Sequence, residues 1–452
     1  MEQIARLRAL GLFDARVPRY TSYPTAPVFG PAVGAGFQAR ALAALDPALP
    51  VSVYVHVPFC ERLCWFCACH TQGTQTLSPV EDYLGTLERE IARVASLLPA
   101  GVRMGRLHWG GGTPTILPPA MIRRLARALK AAIPQAPGWE FSVEIDPTMV
   151  DRAKIEALAG EGFNRASIGI QDFAPEVQAA IGRLQPFDAT AACVADLRDA
   201  GIRSLNADLV YGLPHQSEAR IRDTVAKVLD LGPDRVALYG YAHVPWVSKR
   251  QKLIPEEALP QDVVRHALAQ AAGGMFRAAG YDAIGIDHFA LLGGGLALAA
   301  AGGRLRRNFQ GYTDDACATL IGMGASSISR FPTGYVQNAP ATGAWAGRVL
   351  AGGLAGAKGH AFAGEDRLRG RAIEMLMCDF RLDMVALRAA FGEATSALAA
   401  DVAAAAQRFA GFVAQEPDGG LSIRPEGRPL TRMIASLLDA HAPEGTRYSQ
   451  AS

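Results

Sequence analysis

The chain of 452 residues is long enough to form one large domain and at least one smaller unit. Half of its residues are hydrophobic and 19% are charged, which is typical of a globular protein that needs no disulfide framework. The formal net charge of +2 argues against wholesale nucleic-acid binding, so we expect no nucleic-acid partner. No apolar stretch has the length of a membrane span, and we expect no stable membrane insertion.

The first part of the chain is predicted to be an arm followed by alternating strands and helices. Residues 1–50 are turn-rich and are expected to lie as an irregular arm over the functional site. Short β-branched or aromatic runs follow at 51–57, 105–109, 140–145, 166–170, 204–210 and 235–241. Helical patterns separate them at about 79–97, 118–132, 151–160, 188–200 and 217–230. This alternation predicts parallel βα units over 51–290, in a barrel or an incomplete one, with the chemistry on loops that follow the strands.

A dense group of cysteines follows the first predicted strand. Cys60, Cys64, Cys67 and Cys69 lie within ten residues, and the first three have the spacing C-x3-C-x2-C. Three thiolates on a four-iron cluster leave one iron open, and an open iron can bind and activate a small molecule. Zinc is the alternative, but zinc sites usually take a second ligand pair from a distant segment, and the sequence offers none. Clustered thiols also indicate a reducing compartment, so we expect a cytoplasmic protein.

The role of Cys69 stays open at this level. As a fourth ligand it would close the cluster, but only one residue separates it from Cys67, so it can instead point away. His70 is a further candidate ligand, although a surface histidine is the more common role for such a residue.

A glycine run follows the second predicted strand. The segment 108–114 reads His-Trp-Gly-Gly-Gly-Thr-Pro. Glycines let a ligand approach the backbone closely and reach its N–H groups. On the loop after the second strand, the run would face the cysteine loop, where it suits a ligand that chelates iron through amino and carboxylate groups.

The rest of the chain departs from the βα alternation. A helix is expected at 260–279, and residues 281–289 lead into a glycine-rich loop. We assign 291–362 to a barrel extension with substrate-facing loops. Residues 363–452 are predicted to form a mainly helical domain with a short β insertion near 411–424.

These motifs together resemble the radical S-adenosylmethionine (SAM) superfamily and, over nearly the whole chain, its oxygen-independent coproporphyrinogen III oxidases of haem biosynthesis. The resemblance rests on segments that occur in the same order as in that family. They are 19–25, 54–58, 60–69, 108–115, 144–147, 162–165, 169–173, 206–208, 211–214, 241–243, 287–290, 307–313 and 322–324.

The resemblance implies an α/β fold, a partial (β/α)6 TIM-like barrel with an N-terminal arm and a mainly helical C-terminal domain. It implies a [4Fe–4S] cluster held by Cys60, Cys64 and Cys67, with Cys69 in the family pattern but not a ligand. Two SAM molecules are implied. Positions for the first match Tyr54, Gly111, Glu144 and Ile328, and positions for the second match Phe66, Gly112, Thr113, Gln171, Arg183, Asp208 and Ala242.

The implied reaction is the anaerobic oxidative decarboxylation of two propionates of coproporphyrinogen III, which gives protoporphyrinogen IX. A 5′-deoxyadenosyl radical from SAM would take hydrogen from each propionate β-carbon. The implied partners are coproporphyrinogen III and a low-potential electron donor such as flavodoxin or ferredoxin, and we expect a monomer.

The four carboxylates of that substrate predict cations around its pocket. The candidates are Arg19, Lys249, Arg250, Arg306 and Arg307, and Tyr20 and Tyr23 of the arm could close over the substrate. The segment 291–298 departs from the family pattern, because it lacks the proline and the acidic residues that usually follow there.

Three alternatives have different chemistry. A related haem-binding chaperone would lack the cysteine at position 69 and the arm motif at 20–24, and this chain has both. Another radical SAM relative that opens or methylates tetrapyrroles is the second alternative. The third is a zinc-dependent interaction module.

Overall fold

The computed structural model describes residues 2–441 and 448–451 of the chain. The arm holds two helices, α1 (Glu2–Ala9) and α2 (Ala35–Ala43). The βα region that follows consists of β1 (Val51–Val57), β2 (Phe59–Cys60), β3 (Gln72–Gly73), α3 (Ser78–Ala95), β4 (Met104–Gly111), α4 (Pro119–Ala132), β5 (Gln135–Ile145), α5 (Arg152–Gly160), β6 (Arg165–Gln171), α6 (Pro175–Ala180), α7 (Phe187–Asp199), β7 (Ser204–Tyr211), α8 (Glu218–Leu231) and β8 (Arg235–Gly240).

The remaining elements form an extension and a C-terminal region. The extension comprises α9 (Asp262–Ala278), β9 (Tyr281–Ile284), β10 (His288–Leu291), α10 (Gly295–Ala301), β11 (Arg306–Asn308), β12 (Gly311–Thr313), β13 (Leu320–Met323), β14 (Ile328–Phe331), β15 (Gly334–Asn338), α11 (Thr342–Leu350) and β16 (Gly356–Ala361). The C-terminal region comprises α12 (Asp366–Asp379), β17 (Arg381–Leu382), α13 (Met384–Phe391), α14 (Ala399–Arg408), β18 (Val413–Gln415), β19 (Leu421–Ile423) and α15 (Thr431–Ser436).

One twelve-stranded sheet organises the molecule, in the order β16-β15-β14-β13-β1-β4-β5-β6-β7-β8-β10-β9. The strands from β13 to β8 in this order are all parallel, and the outer pairs on both sides are antiparallel. Because β16 and β9 end the order without pairing to each other, the sheet is an open barrel. The carboxyl ends of its parallel strands share one rim, where loops collect functional side chains.

Burial of both faces explains why the central strands form where the sequence predicts them. Six of the seven residues of β1 are buried, as expected for a strand that packs between helices and a barrel interior. The helices carry polar residues outward, and α8 begins at Ser217, whose hydroxyl accepts from the N–H of Arg220, and ends at Gly232 in the left-handed conformation. The predicted strands and helices of residues 51–241 are confirmed.

A second hydrophobic core joins the two ends of the described chain. Leu7, Leu12 and Phe13 of the arm pack with apolar side chains of α12 to α15, and Tyr20 and Tyr23 belong to the same cluster. The arm is therefore not an irregular segment, since it contains α1 and α2 and shares the core of the C-terminal region. The β insertion expected near 411–424 is present as β18 and β19, which pair with β17.

The segment 291–298 was expected to be a glycine-rich loop, which holds for the turn at 292–294 and is wrong for residues 295–298. Residues Gly295–Ala301 form α10, which buries Leu296, Ala297 and Ala299 against a small cluster that includes Tyr312. The alanines and leucines that follow the glycines favour a helix, and an apolar neighbour buries them.

Glu90 of α3 anchors the extension to the barrel. This side chain is 1% exposed, and it accepts hydrogen bonds from the N–H of Gly324 at 2.7 Å, from Asn338 Nδ2 at 2.6 Å and from Trp345 Nε1 at 3.0 Å. All three partners are donors, so only a group with two acceptor oxygens satisfies them.

Replacing Glu90 with glutamine should therefore destabilise the fold by about 1–3 kcal/mol, because an amide NH2 would face a buried donor. Urea unfolding under anaerobic conditions measures this loss. Glu88→Gln is the matched control on the same helix, since Glu88 pairs with Arg124 at the surface, and it should change stability by less than about 0.5 kcal/mol. Equal stability of the two variants would contradict the anchoring role.

Within the described part of the chain, no helix combines the length and the hydropathy that a bilayer crossing requires.

Candidate active site at the carboxyl rim of the barrel

The cysteine loop is closed at its base by a small parallel ladder. Phe59 pairs with Gln72 and Cys60 pairs with Gly73, so residues 61–71 form a loop above the end of β1. The N–H of Thr74 donates to the carbonyl of Cys60 at 3.0 Å. The loop thus leaves the barrel and returns to it at nearly the same point.

Residues that follow β8 hold the loop from the other side. Gln251 Nε2 donates to the carbonyl of Phe66 at 2.7 Å, and Ser248 Oγ donates to the carbonyl of Cys67 at 2.9 Å. Arg250 Nη2 contacts Thr71 Oγ1 at 2.9 Å. These contacts fix the backbone of the loop from which the thiols project.

The thiols of the loop are not equivalent. Arg183 Nη1 lies 3.5 Å from Cys64 Sγ, and burial raises the pKa of Cys60 to about 11. The backbone N–H of Cys69 donates to Cys67 Sγ at 3.4 Å, and a thiol hydrogen bond from Cys69 lowers the pKa of Cys67 to about 6. Cys69 therefore contacts the sulfur of Cys67, and its own thiol lies within electrostatic range of Cys60 and Glu144.

The glycine run at the end of β4 lies against the cysteine loop. The N–H of Gly112 donates to the carbonyl of Val57 at 2.8 Å, and a Cβ at Gly112 would stand 2.5 Å from the carbonyl oxygen of Phe59. Gly111 has φ +110, and a Cβ there would meet the ring of His56. Only glycine fits at these two positions, because the backbone of the cysteine loop touches Gly112 and the His56 ring and a positive φ leave no place for a side chain at Gly111.

Several polar residues next to the glycines surround Glu144. Glu144 Oε2 accepts from the N–H of Gly111 at 3.0 Å, and its Oε1 lies 3.3 Å from His108 Nε2. Burial opposes ionisation of Glu144, but the hydrogen bonds from His108 and Gly111 outweigh it and lower its pKa. Tyr54 stacks on the ring of His108 and contacts His56 Nδ1 at 3.0 Å. The carboxylate is thus held charged at the barrel mouth, where it can accept from an ammonium or a hydroxyl.

Further polar residues line the rim at β6 and β7. Arg183 donates to the carbonyl of Gly169 at 2.9 Å and pairs with Asp146 at 3.1 Å. Asp208 accepts from Ser167 Oγ at 2.9 Å, and burial raises its pKa. Gln171 has φ +66, an uncommon backbone conformation for a residue with a side chain, of the kind that is often kept at functional sites.

The other residues predicted to contact SAM also lie at this rim. Phe66 is half-buried against an apolar cluster with Tyr241, and Thr113 is buried beside Cys60. The carbonyl of Ala242 accepts from Gln251 at 3.1 Å, and the backbone of Ile328 lies against Gly322 of β13.

Of the cationic residues predicted to bind substrate, Arg250 contacts the cysteine loop, and the others differ in their contacts and exposure. Arg307 is buried and paired with Asp287 at 3.4 Å, and Arg19 Nη2 donates to the carbonyl of Gly240 at 2.8 Å. Arg250 holds the cysteine loop, as described above. Lys249 is exposed and Arg306 is half-buried.

The two arm tyrosines are buried in the second core. Tyr20 Oη donates to Asp439 at 3.0 Å, and Tyr23 Oη accepts from the N–H of Ala440 at 3.0 Å. Both hydroxyls therefore hold the arm against the C-terminal region. Their expected contact with substrate stays a prediction.

Comparison with known proteins gives the family. The model of the radical SAM superfamily matches residues 54–228. An oxygen-independent coproporphyrinogen III oxidase of Cereibacter sphaeroides is 62% identical over 100% of both chains, and the one of Escherichia coli is 36% identical over 96% of this chain and 95% of its own. The solved structure of the coproporphyrinogen III oxidase (HemN) from Escherichia coli, described as a radical SAM enzyme, superposes with a TM-score of 0.89 at 35% identity, over 94% of this chain and 100% of its own.

The chain belongs to the family of oxygen-independent coproporphyrinogen III oxidases. The superposition confirms the predicted α/β partial barrel with its additional regions. As a member of the radical SAM superfamily, the protein has a [4Fe–4S] cluster and SAM as its cofactors, as the resemblance implied.

The donor set of this oxidase fits those cofactors. Thiolates are the ligands that iron–sulfur clusters take, and all seven cysteines are free of disulfides. The glycine cradle beside the cysteine loop leaves no room for a Cβ. It therefore brings the backbone at the end of β4 against the start of the cysteine loop, with the N–H groups of Gly111 and Gly112 bonded to Glu144 and to the carbonyl of Val57.

Several residues that shape the site of this oxidase were not found in the sequence analysis. His56 and His108 orient Tyr54 and Glu144, and Asp146 holds Arg183. The residues that support the cysteine loop lie some 180 positions away, at Ser248 and Gln251. His56 lies two residues after Tyr54 on β1, and His108 lies on β4, next to the strand β5 that carries Glu144. Both histidines could therefore have been suspected from the sequence, whereas Ser248 and Gln251 gave no sequence signal.

Proposed function

We propose that the protein carries out the anaerobic oxidative decarboxylation of two propionate side chains of coproporphyrinogen III to vinyl groups, which gives protoporphyrinogen IX. Each propionate loses carbon dioxide, one hydrogen atom and one electron in this reaction. The observation that carries the proposal is the full-length likeness to oxygen-independent coproporphyrinogen III oxidases, which spans arm, barrel and C-terminal region.

We assign the cluster to Cys60, Cys64 and Cys67. Their loop is held at both ends, and their sulfurs lie close enough to influence one another electrostatically. Cys69 takes a supporting role, because it hydrogen-bonds Cys67. When bound, the cluster and SAM supply the one-electron chemistry that removes a hydrogen atom from the substrate.

The residues around the cluster loop are assigned to two SAM molecules. For the first, Glu144 and Tyr54 offer acceptors, Gly111 permits close approach to its backbone because it has no side chain, and Ile328 is the remaining position. For the second, Asp208 can accept from hydroxyls, Arg183 can pair with a carboxylate and Phe66 offers a ring face. The other positions of the second molecule are Gly112, Thr113, Gln171 and Ala242.

The remaining assignments belong to the same proposal. Residues 1–50 act as an arm, 51–290 as the radical SAM barrel, 291–362 as its extension and 363–452 as the C-terminal domain. A low-potential donor such as flavodoxin or ferredoxin provides electrons. The protein works as a monomer in the cytoplasm without nucleic acid, and its free thiols suit a reducing compartment.

An anaerobic assay tests the function. The reconstituted protein is incubated with coproporphyrinogen III, SAM and a chemical reductant, and product masses are followed. We expect two successive losses, each of one carbon dioxide and two hydrogens, together with release of deoxyadenosine. Stoichiometric haem binding without turnover would favour the chaperone alternative, and SAM consumption with a methylated or ring-opened tetrapyrrole would favour another radical SAM reaction.

A further inference from the structure

A large cavity lies beside the barrel mouth, on the side away from the cysteine loop. Its volume is about 890 Å³, within the range of small-molecule sites. It is bounded by the ends of β7 and β8, by α9, by the turn between β9 and β10, and by segments of the arm and the C-terminal region. Parts that are distant in sequence thus enclose one space.

The lining of this cavity carries an excess of positive charge. Seven arginines line it, with two carboxylates, Glu218 and Asp287. The arginines are Arg19, Arg222, Arg265, Arg277, Arg307, Arg428 and Arg432. Asp287 pairs with Arg307 and Glu218 pairs with Arg222, so the other five guanidinium groups have no carboxylate within 4 Å among the described residues. The lining therefore holds a net charge of about +5.

Arg265 is the clearest case of an unsatisfied cation. It is 92% buried, with an exposed fraction of 8%, and its Nε has no hydrogen-bond partner among the described atoms. Its Nη2 donates to the carbonyl of Tyr241 at 2.6 Å, and its guanidinium lies 5.5 Å from the ring centroid of Tyr211. These neighbours orient the guanidinium but do not neutralise it.

Arg432 is buried to a similar degree, with an exposed fraction of 7%. Its donors reach carbonyl oxygens of the arm and the tail, at Val17, Pro18, Gln450 and Ala451. Burial, together with the nearby charge of Arg19, lowers its pKa to about 9. Neutral carbonyls leave the charge uncompensated, and burial of such a charge costs several kcal/mol.

The inner end of the cavity adjoins the barrel interior. The ring of Tyr239 packs edge-on against His288, which lines the cavity, with 5.6 Å between the ring centroids, and the charge of Asp208 inside the barrel also acts on the Tyr239 hydroxyl. A ligand in the cavity therefore lies next to the rim that holds the proposed cofactor residues.

We propose that this arginine cavity binds the carboxylates of the tetrapyrrole substrate that are not reacting. The inference rests on the proposed function. Coproporphyrinogen III has four carboxylates, and when one of them is at the reacting centre three remain, which the unpaired guanidinium groups of the lining can neutralise. Guanidinium groups pair with carboxylates through two parallel hydrogen bonds, and the Nε of Arg265 is buried without a hydrogen-bond partner among the described atoms.

The test measures binding and turnover in the full-length protein with its cluster. Arg265→Gln should raise KM for coproporphyrinogen III about ten- to a hundredfold, because a charge-assisted hydrogen bond is lost, while kcat changes less than about threefold. Arg265→Lys retains the charge and should recover part of the loss. Arg124→Gln is the matched control, since it removes a guanidinium on α4 that pairs with Glu88 far from the cavity.

Equilibrium binding separates this inference from the proposed function. Coproporphyrin III, with four carboxylates, and protoporphyrin IX, with two, are titrated into the wild type and each variant, and Arg265→Gln should weaken binding of the first more than that of the second. If Arg265→Gln weakens coproporphyrin III binding in this way but the wild-type protein does not decarboxylate coproporphyrinogen III, the carboxylate-binding role of the cavity is supported and the proposed function is overturned. Normal decarboxylation with KM and Kd unchanged in Arg265→Gln would overturn the cavity alone.

Arg432→Gln provides a second variant. It should weaken coproporphyrin III binding in the same direction, and circular dichroism checks that the fold persists. Unchanged binding in a folded Arg432→Gln protein would remove Arg432 from the site.

Discussion

Replacing Cys64 with serine should abolish cluster assembly and reduce decarboxylation at least about a thousandfold, because the cluster is the source of the one-electron chemistry. Cys64 is the buried member of the proposed ligand trio, and it lies 3.5 Å from Arg183. A serine hydroxyl keeps the shape of the side chain but is a poor iron ligand at neutral pH. Iron and sulfide content after anaerobic reconstitution, and product mass, measure the loss.

Cys193→Ser is the matched control for this experiment. Cys193 is also buried, but it lies on α7 outside the barrel rim. The control should keep full iron content even if its stability falls slightly. Full iron content and normal turnover in Cys64→Ser would refute the ligand assignment.

Neutralising Glu144 should produce the second large effect. Glu144→Gln should lower turnover about a hundredfold while iron content stays at the wild-type level, because a charged acceptor near the proposed SAM position is lost. The lowered pKa of Glu144 indicates that the carboxylate is charged at neutral pH, so the variant removes a charge that is present. Deoxyadenosine release and SAM binding by equilibrium dialysis measure the outcome.

Glu156→Gln serves as its control, since Glu156 is exposed on α5 and pairs with Arg152. Its turnover should match that of the wild type. If Glu144→Gln loses iron as well as turnover, Glu144 supports the cysteine loop and not SAM.

Local sequence patterns predicted the central half of the fold. The six long strands β1, β4, β5, β6, β7 and β8 alternate with helices, and their short apolar or β-branched runs identify them. The cysteine and glycine motifs followed directly from spacing. The parallel pairing of β13 with β1, through Ser52 and Leu320, was not predicted. Some 270 residues separate these two strands, and β13 has only four residues, too few to show a period.

The pairing and burial of charged side chains could not be predicted from the sequence either. Arg307 was expected to contact substrate, but the sequence could not show that Asp287 neutralises it. Arg265 received no role, because an arginine on an amphipathic helix is normally a solvated residue. Its burial depends on packing between α9 and β7, which only the folded chain shows.

The seam between the arm and residues 448–451 has a consequence for stability. Its hydrogen bonds include the N–H of Ala451 on the carbonyl of Ala15 at 2.8 Å and Gln450 Nε2 on the carbonyl of Phe13 at 3.3 Å. Arg432 donates to carbonyl oxygens on both sides of the seam, at Val17 and Pro18 of the arm and at Gln450 and Ala451. One buried side chain of α15 therefore couples the two ends of the described chain, so both ends should loosen together when its donors are lost.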